Sequence, residues 1–442
     1  MATETMMHAS VIRVAAFAAV LAWAATDAAA AIYHVAPPPA GNDSNPGSEA
    51  APWATLQHAA GRVQAGDTIR VRSGNYVGAQ FTTPGTAAQP IVLEAAPGAT
   101  PAITADNPRT PDGINIEGAA YMTVRGFTVN GRTRAGIRAV TCSHVTISDN
   151  HLDQNGRWGI LTGFCDDLVI ERNVTSRSAV EHGIYVSNSG DRPVIRHNTS
   201  WGNRANGIHM NGDAEMGGDG VISNAVVEGN TIHGNGQGGG GSGINMDGVR
   251  DSLIRNNLVY ASHASGISLY RIDGGAPSSG NRVLNNTVLV ASDGRWALNI
   301  QDGSSGNIVR NNILWNAHGS RGSIDISADS LPGFDSDYNV VMDRLTTNGG
   351  DSVLTLVQWR AQTGQDTHSR VATPAQLFVA PAQDDYHLSP TSPALDTGET
   401  RTDAPVDLEG VTRPQGTGTD VGAYERRAAL GDPIFGDGFE LA

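Results

Sequence analysis

The sequence predicts an all-β chain: a single-stranded right-handed parallel β-helix with an N-terminal capping helix and a C-terminal closing segment. Three observations carry this. Gly-Ile pairs recur at Gly136, Gly159, Gly183, Gly207, Gly243 and Gly266, at spacings of 23, 24, 24, 36 and 23. A second series of short apolar strands ends in asparagine, at Asn150, Asn173, Asn198, Asn230, Asn257, Asn286 and Asn312, with spacings from 23 to 32. Glycine supplies 54 of 442 residues, and no helix-period segment separates the strands. Strands at a period of about 24 residues, without intervening helices, are the pattern of a solenoid whose coils stack at about 4.8 Å.

Taken in chain order, Val14 to Ala25 is apolar and uncharged, follows Arg13, and leads to Ala29-Ala30-Ala31. That is the layout of a signal peptide over 1–31, too short for a membrane span and cleaved before Ile32. Ala51 to Val63 is amphipathic and suits a short helix over the open N-terminal end of the solenoid, an edge that otherwise invites aggregation. From about 90 to 325 there is room for roughly ten coils, with the whole solenoid taken as 32–350. Asp351 to Arg360 suits a second covering helix, and 351–442 a closing segment and tail.

The repeated asparagine has a structural role in this scheme. At one turn of every coil, each side-chain amide can donate to the next, forming an internal ladder. The cysteines fit the same frame. Cys142 lies six residues after Gly136 and Cys165 six after Gly159, so they occupy equivalent places in successive coils. In an exported chain this points to a disulfide, the alternative being two stacked free thiols.

Composition narrows the function. The chain carries 29 basic and 44 acidic residues, a net charge of −15. A nucleic-acid binder needs a basic stripe, and none is evident. All basic residues are arginine, so no lysine base, nucleophile or Schiff base is available. The expected partner is a polysaccharide, anionic in the favoured reading, met by a monomer with no membrane span.

Aligning coils on their Gly-Ile pairs gives two outward rows on one sheet. The first holds Leu161, Tyr185, His209, Asn245, Ser268 and Asn299; the second holds Gly163, Ser187, Asn211, Asp247, Tyr270 and Gln301. An ordinary wet sheet face favours Thr, Lys, Glu and Ser. This one offers His, Tyr and Asn, groups suited to proton transfer and sugar contact. We therefore take His209, Tyr270 and Arg271 as candidate catalytic residues. Tyr185, Asn211, Asn245, Arg204, Arg250, His263 and Asn299 are candidate substrate contacts. Asp247 and Asp213 are candidate ligands for calcium.

The stretch from Ile32 to Gly78, IYHVAPPPAGNDSNPGSEAAPWATLQHAAGRVQAGDTIRVRSGNYVG, resembles the N-terminal cap of secreted parallel β-helix proteins, including many polysaccharide lyases of the pectate lyase-like superfamily. Asp384 to Glu425 resembles the closing segment of bacterial surface and secreted β-helix proteins. The resemblance implies an exported or cell-surface bacterial protein acting on carbohydrate. It implies a lyase, with a glycoside hydrolase, a C5-epimerase or a non-catalytic glycan-binding β-helix as alternatives on the same fold. The lyase branches of this fold that need a lysine base do not apply here. The expected chemistry is β-elimination from a uronic-acid polymer. His209 is the expected base and Tyr270 the acid, with Asn211 or calcium at Asp247 masking the sugar carboxylate.

Overall fold

The computed structural model describes residues 30–427; the expected signal sequence therefore lies almost wholly outside the described residues. Each coil contributes three short strands, and equivalent strands of successive coils pair in parallel. One face is a 12-stranded sheet running from Gly74–Val77 to Arg370–Val371. The other two faces are joined into a 22-stranded sheet, because the strand Ala135–Ser148 runs unbroken through both for 14 residues. We call the face that carries the Gly-Ile positions the second face, the one after it in each coil the first, and the 12-stranded sheet the third. The solenoid thus has about twelve coils rather than ten. It begins before residue 90, in strands that lack the Gly-Ile marker, and continues past 350 to Arg370–Val371, which pairs with Val340–Val341.

The register explains the repeat. Ile137, Ile160, Ile184, Ile208, Ile244, Ile267, Leu298 and Ile324 stand directly over one another, all fully buried. Burying each such side chain contributes about 2 kcal/mol. The preceding glycine is required by close approach. A Cβ at Gly207 would lie 2.4 Å from Ile232 Cγ2, and one at Gly243 would lie 2.3 Å from Val259 Cγ1. In these coils the turn from the third face into the second therefore presses backbone against core side chains and leaves no room for a Cβ.

The asparagine ladder is present and extends one coil further, to Asn339. From Asn150 to Asn339 each Nδ2 donates to the next Oδ1 over 2.9–3.1 Å. The residue before each ladder asparagine has a positive φ; Gly229 fills this place before Asn230, and Asp149, Arg172, His197, Asn256, Asn285, Asn311 and Tyr338 fill the others. The left-handed turn rotates the next side chain inward, where its amide must find partners. The last amide, Asn339, donates to the buried Asp366 carboxylate (3.0 Å), which also accepts from Trp359 Nε1 (2.9 Å) and the Ser369 hydroxyl (2.6 Å). The ladder therefore ends on a negative charge at its donor end.

Both covering helices are shorter or shifted relative to expectation. The first spans Leu56–Ala60, with Thr55 Oγ1 accepting the His58 N–H at 3.1 Å. The second spans Leu356–Thr363. Leu56 and Ala59 from one, and Leu356 and Trp359 from the other, join the solenoid core. The remainder of the C-terminal segment does not close the end but runs back along the outside of the third face. There Leu377, Phe378, Tyr386 and Leu388 cover Leu258, Leu289, Ile313 and Val340. Those outward positions are apolar, and a sheet face rich in apolar residues on both sides needs covering. Polar ties fix the register, including Arg282 Nη1 to Asp403 Oδ2 (2.8 Å) and Asn256 Nδ2 to the Val406 carbonyl (2.8 Å).

Cys142 and Cys165 are opposite each other in adjacent coils and form a disulfide, with Cα atoms 4.5 Å apart. It closes a loop 23 residues apart in sequence, so the cross-link should be worth about 3 kcal/mol through loss of unfolded-state entropy. Cys142→Ser/Cys165→Ser is expected to lower the unfolding free energy by that amount, read as a lower urea midpoint. An unshifted midpoint would show that the solenoid does not depend on the bridge.

Candidate active site

The two outward rows align as the Gly-Ile spacing implies. Tyr185, His209, Asn245, Ser268 and Asn299 are successive partners on the second face, and Ser187, Asn211, Asp247 and Tyr270 form the row beside them. The residues between, Val186, Met210, Met246 and Leu269, are buried in the core. One row continues to Asp325, opposite Asn299, which the alignment misses because that coil carries Ser323-Ile324 in place of Gly-Ile.

An aromatic cluster stands at the N-terminal side. The Tyr185 and His209 rings stack at 5.0 Å, and the His182 ring meets His209 edge-on at 4.7 Å. The hydrogen bonds fix the imidazole tautomers. The Asn206 backbone N–H donates to His182 Nδ1 (3.2 Å), which places the proton of neutral His182 on Nε2. That N–H donates to His209 Nδ1 (3.1 Å), so neutral His209 carries its proton on Nε2. This atom is buried and has no hydrogen-bond partner. Burial pushes the His209 imidazole down to about 3, and burial with its imidazole neighbour pushes His182 well below the usual range. His209 is therefore a neutral donor with a free N–H, not the base the sequence suggests.

This arrangement predicts a pH dependence. In the unfolded chain His209 takes up a proton near its ordinary 6.5, whereas in the folded chain it does so only near 3. The unfolded state binds more protons across that window, so stability falls as pH drops through it. His209→Gln should flatten the dependence of the urea midpoint between neutral pH and about pH 4. An unchanged slope would contradict the buried neutral pair.

Asn211 Nδ2 donates to the Tyr185 hydroxyl (3.2 Å) and to Asp273 Oδ2 (3.3 Å), while its Oδ1 is buried without a partner. The strand Ile208–Gly212 thus directs an unpaired donor and an unpaired acceptor outward, two residues apart. A buried polar atom left unpaired is costly, and a ligand hydroxyl or carboxylate relieves it.

Asp247 has a different role from the metal ligand expected. Its two oxygens accept the consecutive backbone N–H groups of Ile272, Asp273 and Gly274 at 2.9–3.1 Å. Burial raises its carboxyl, against the pull of those N–H groups. The carboxylate is spent on holding the 271–274 loop. Asp213 accepts the Glu215 N–H (2.9 Å) at the head of a short turn. Among the described residues no three His, Cys, Asp or Glu side chains converge to hold a metal. The residues do not fit a calcium site.

Beside this loop lies a cleft of about 250 Å³, lined by Asn245, Ser268, Tyr270, Arg295, Asn299, Gln301 and Asp302, with Ile272 at its rim. The Tyr270 hydroxyl accepts from Asn245 Nδ2 (2.7 Å), leaving its own proton free. Burial, then the nearby Asp247 charge, raises the phenol further. Ile272 is 75% exposed, an apolar surface of the kind that meets a sugar ring.

The other expected contacts are dispersed. Arg271 is exposed, its Nε donating to the Gly274 carbonyl (3.1 Å), and does not line the cleft. Arg250 lies in a two-residue strand paired with Ile222–Ser223, outside the cleft. Arg204 is exposed, and its carbonyl accepts from Gly238 N (2.8 Å). His263 pairs with Asp293 (2.9 Å) in a neighbouring cavity. Arg295, Asp302 and Asp325, absent from the expected set, belong to coils without the Gly-Ile marker.

The comparisons follow the same geometry. Residues 33–288 match the family model described as the Pel9A-like right-handed β-helix region. The chain belongs to that family. Among solved structures it is similar to pectate lyase Pel9A, at 17% identity and TM-score 0.63, over 90% of this chain and 96% of that one. It is also similar to XylC in complex with xylose, at 11% identity and TM-score 0.54, over 90% and 99%. A rhamnogalacturonan lyase matches at 14% identity and TM-score 0.52, over 86% and 99%. No curated protein sequence matches. At these identities the structural likeness establishes the right-handed parallel β-helix and nothing finer. Among the described residues no helix is long and apolar enough to cross a membrane.

Proposed function

We propose that this chain is an exported enzyme that cleaves a uronic-acid-containing polysaccharide by β-elimination in the cleft beside Tyr270. The observation that carries the reading is the joint presence, in one cleft, of a tyrosine with a free hydroxyl proton, a guanidinium without an ion-pair partner, and a carboxylate: Tyr270, Arg295 and Asp302. Elimination needs the sugar carboxylate neutralised, the C5 proton removed and the leaving O4 protonated. Arg295 neutralises the sugar carboxylate, so that negative charge developing at C5 is stabilised. Asp302 accepts the C5 proton. The electron pair forms the C4–C5 double bond as the C4–O4 bond breaks. Tyr270, kept protonated by its raised pKa, delivers its proton to O4. No step needs lysine, which the chain lacks.

A second reading rests on Asp325. Its carboxyl is raised by burial, as suits a general acid, and with Asp302 it would form the carboxyl pair a glycoside hydrolase needs. Product mass separates the two. Elimination cleaves the chain without adding water, and hydrolysis yields fragments heavier by one water. Fragments of polygalacturonate or another uronic-acid polymer that lack the added water support elimination. Water-bearing fragments, abolished by Asp325→Asn, overturn it.

A further inference from the structure

The cleft at Tyr270 adjoins a second cavity of about 420 Å³, formed by the turns that lead from the third face into the second. Its walls carry His263, Asp293, Arg295 and Arg321, with Gln237 on the glycine-rich loop. Arg295 lines both cavities.

Many arginines of the solenoid stand against carboxylates, as Arg70, Arg134, Arg177 and Arg255 do. Arg295 and Arg321 make no ion pair with any described residue. Arg321 Nη1 is steadied by the Gly294 carbonyl (2.9 Å), which leaves its remaining N–H groups available. The one carboxylate in the wall, Asp293, is engaged by His263 Nδ1 at 2.9 Å. The second cavity is thus locally cationic on a chain of net charge −15. Such a local reversal of sign is what a strongly acidic protein needs to hold an anionic ligand. A guanidinium fork matches a carboxylate in two hydrogen bonds.

We infer that the second cavity is a subsite for a further uronate unit adjoining the one bound at Tyr270, its carboxylate held by Arg321 and by Arg295 at the boundary. This rests on the proposed function and extends it: a shared arginine between two cavities makes the enzyme selective for consecutive acidic units over isolated ones. The substrate class is then a polyuronate or a polymer with paired uronates, rather than one in which acidic and neutral sugars strictly alternate.

The test is calorimetric binding to the full chain, using galacturonate oligomers of increasing length and their carboxyl-reduced counterparts, at low and high salt. Wild-type protein should bind longer acidic oligomers more tightly than the shortest, with the gain weakened by salt. Arg321→Ala should lose about tenfold affinity for the longer acidic oligomers only, the worth of one charge-assisted contact. Its affinity for the shortest oligomer and the chemical nature of its products should be unchanged. Arg321→Lys should restore part of the loss. If Arg321→Ala binds every length like wild type, the subsite is overturned and the cleavage reading stands. If wild type binds carboxyl-reduced oligomers as well as acidic ones, both are overturned.

Discussion

Tyr270→Phe is expected to lower kcat by about a hundred- to ten-thousand-fold, the usual worth of a positioned proton donor, while substrate affinity changes little. The phenylalanine ring keeps the packing of the strand Ile267–Tyr270 and removes only the hydroxyl. That hydroxyl accepts one hydrogen bond, from Asn245 Nδ2 at 2.7 Å, so its loss frees an amide at the cleft wall that water can reach. Burial and the neighbouring Asp247 charge hold the phenol above its ordinary value, so the group is protonated across the neutral range and acts as acid. An Asn245→Ala chain should show a smaller fall in kcat, because the phenol remains but is no longer oriented. A Tyr270→Phe chain that cleaves at the wild-type rate would remove Tyr270 from the reaction.

The largest expected effect on stability comes from the ladder. Asn257 Nδ2 donates to the Val227 carbonyl and to Asn286 Oδ1, each at 2.9 Å. Its Oδ1 accepts the backbone N–H and the Nδ2 of Asn230, at 3.0 and 2.9 Å. Asn257→Ala strips the buried Asn230 N–H and Val227 carbonyl of these side-chain partners and takes one of two hydrogen bonds from Asn230 Nδ2 and Asn286 Oδ1, which keep the Ile195 carbonyl and the backbone N–H of residue 257. Each orphan costs about 1–3 kcal/mol, and partial relaxation brings the expected loss to roughly 4 kcal/mol. Urea unfolding followed by circular dichroism measures it. A loss below about 1 kcal/mol would mean that water replaces the amide and that the ladder is incidental. Asp366→Ala should approach the same cost, since the carboxylate receives the ladder's last amide together with Trp359 and Ser369.

Much of this architecture is written in local sequence. Gly-Ile marks where the backbone turns against the core, and the strand-ending asparagine marks where a left-handed residue rotates an amide inward; both are repeated, so both are visible. The outward rows follow from the same register, and so does the bond between Cys142 and Cys165. What a repeat does not encode is how a particular outward group is used. Asp247 sits in the row where a ligand-binding carboxylate would sit, yet its fate is decided by the backbone of residues 272–274, a loop that obeys no period. His209 looks like a base until its neighbour is known: the tautomer is set by Asn206 through His182, residues that stand one place before Gly207 and Gly183, and the repeat places them in adjacent coils without stating which nitrogen accepts. Asp325 was hidden for the opposite reason, since its coil replaces the marker with Gly322-Ser323-Ile324, whereas Arg295 and Asp302 flank the aligned strand Leu298–Ile300 in turns that the outward rows do not reach. The doubling back of the C-terminal segment leaves only a faint trace, the apolar outward residues Leu258, Leu289 and Ile313.

The account centres on where an acidic sugar binds, and a crystal structure of Tyr270→Phe soaked with a galacturonate oligomer measures that directly. The expected result is a sugar ring against Ile272 in the cleft of the second face, its carboxylate within hydrogen-bond distance of Arg295 and its glycosidic oxygen facing the position of the lost hydroxyl. An oligomer seated on another face of the solenoid, or in this cleft with its carboxylate turned away from Arg295, would contradict it.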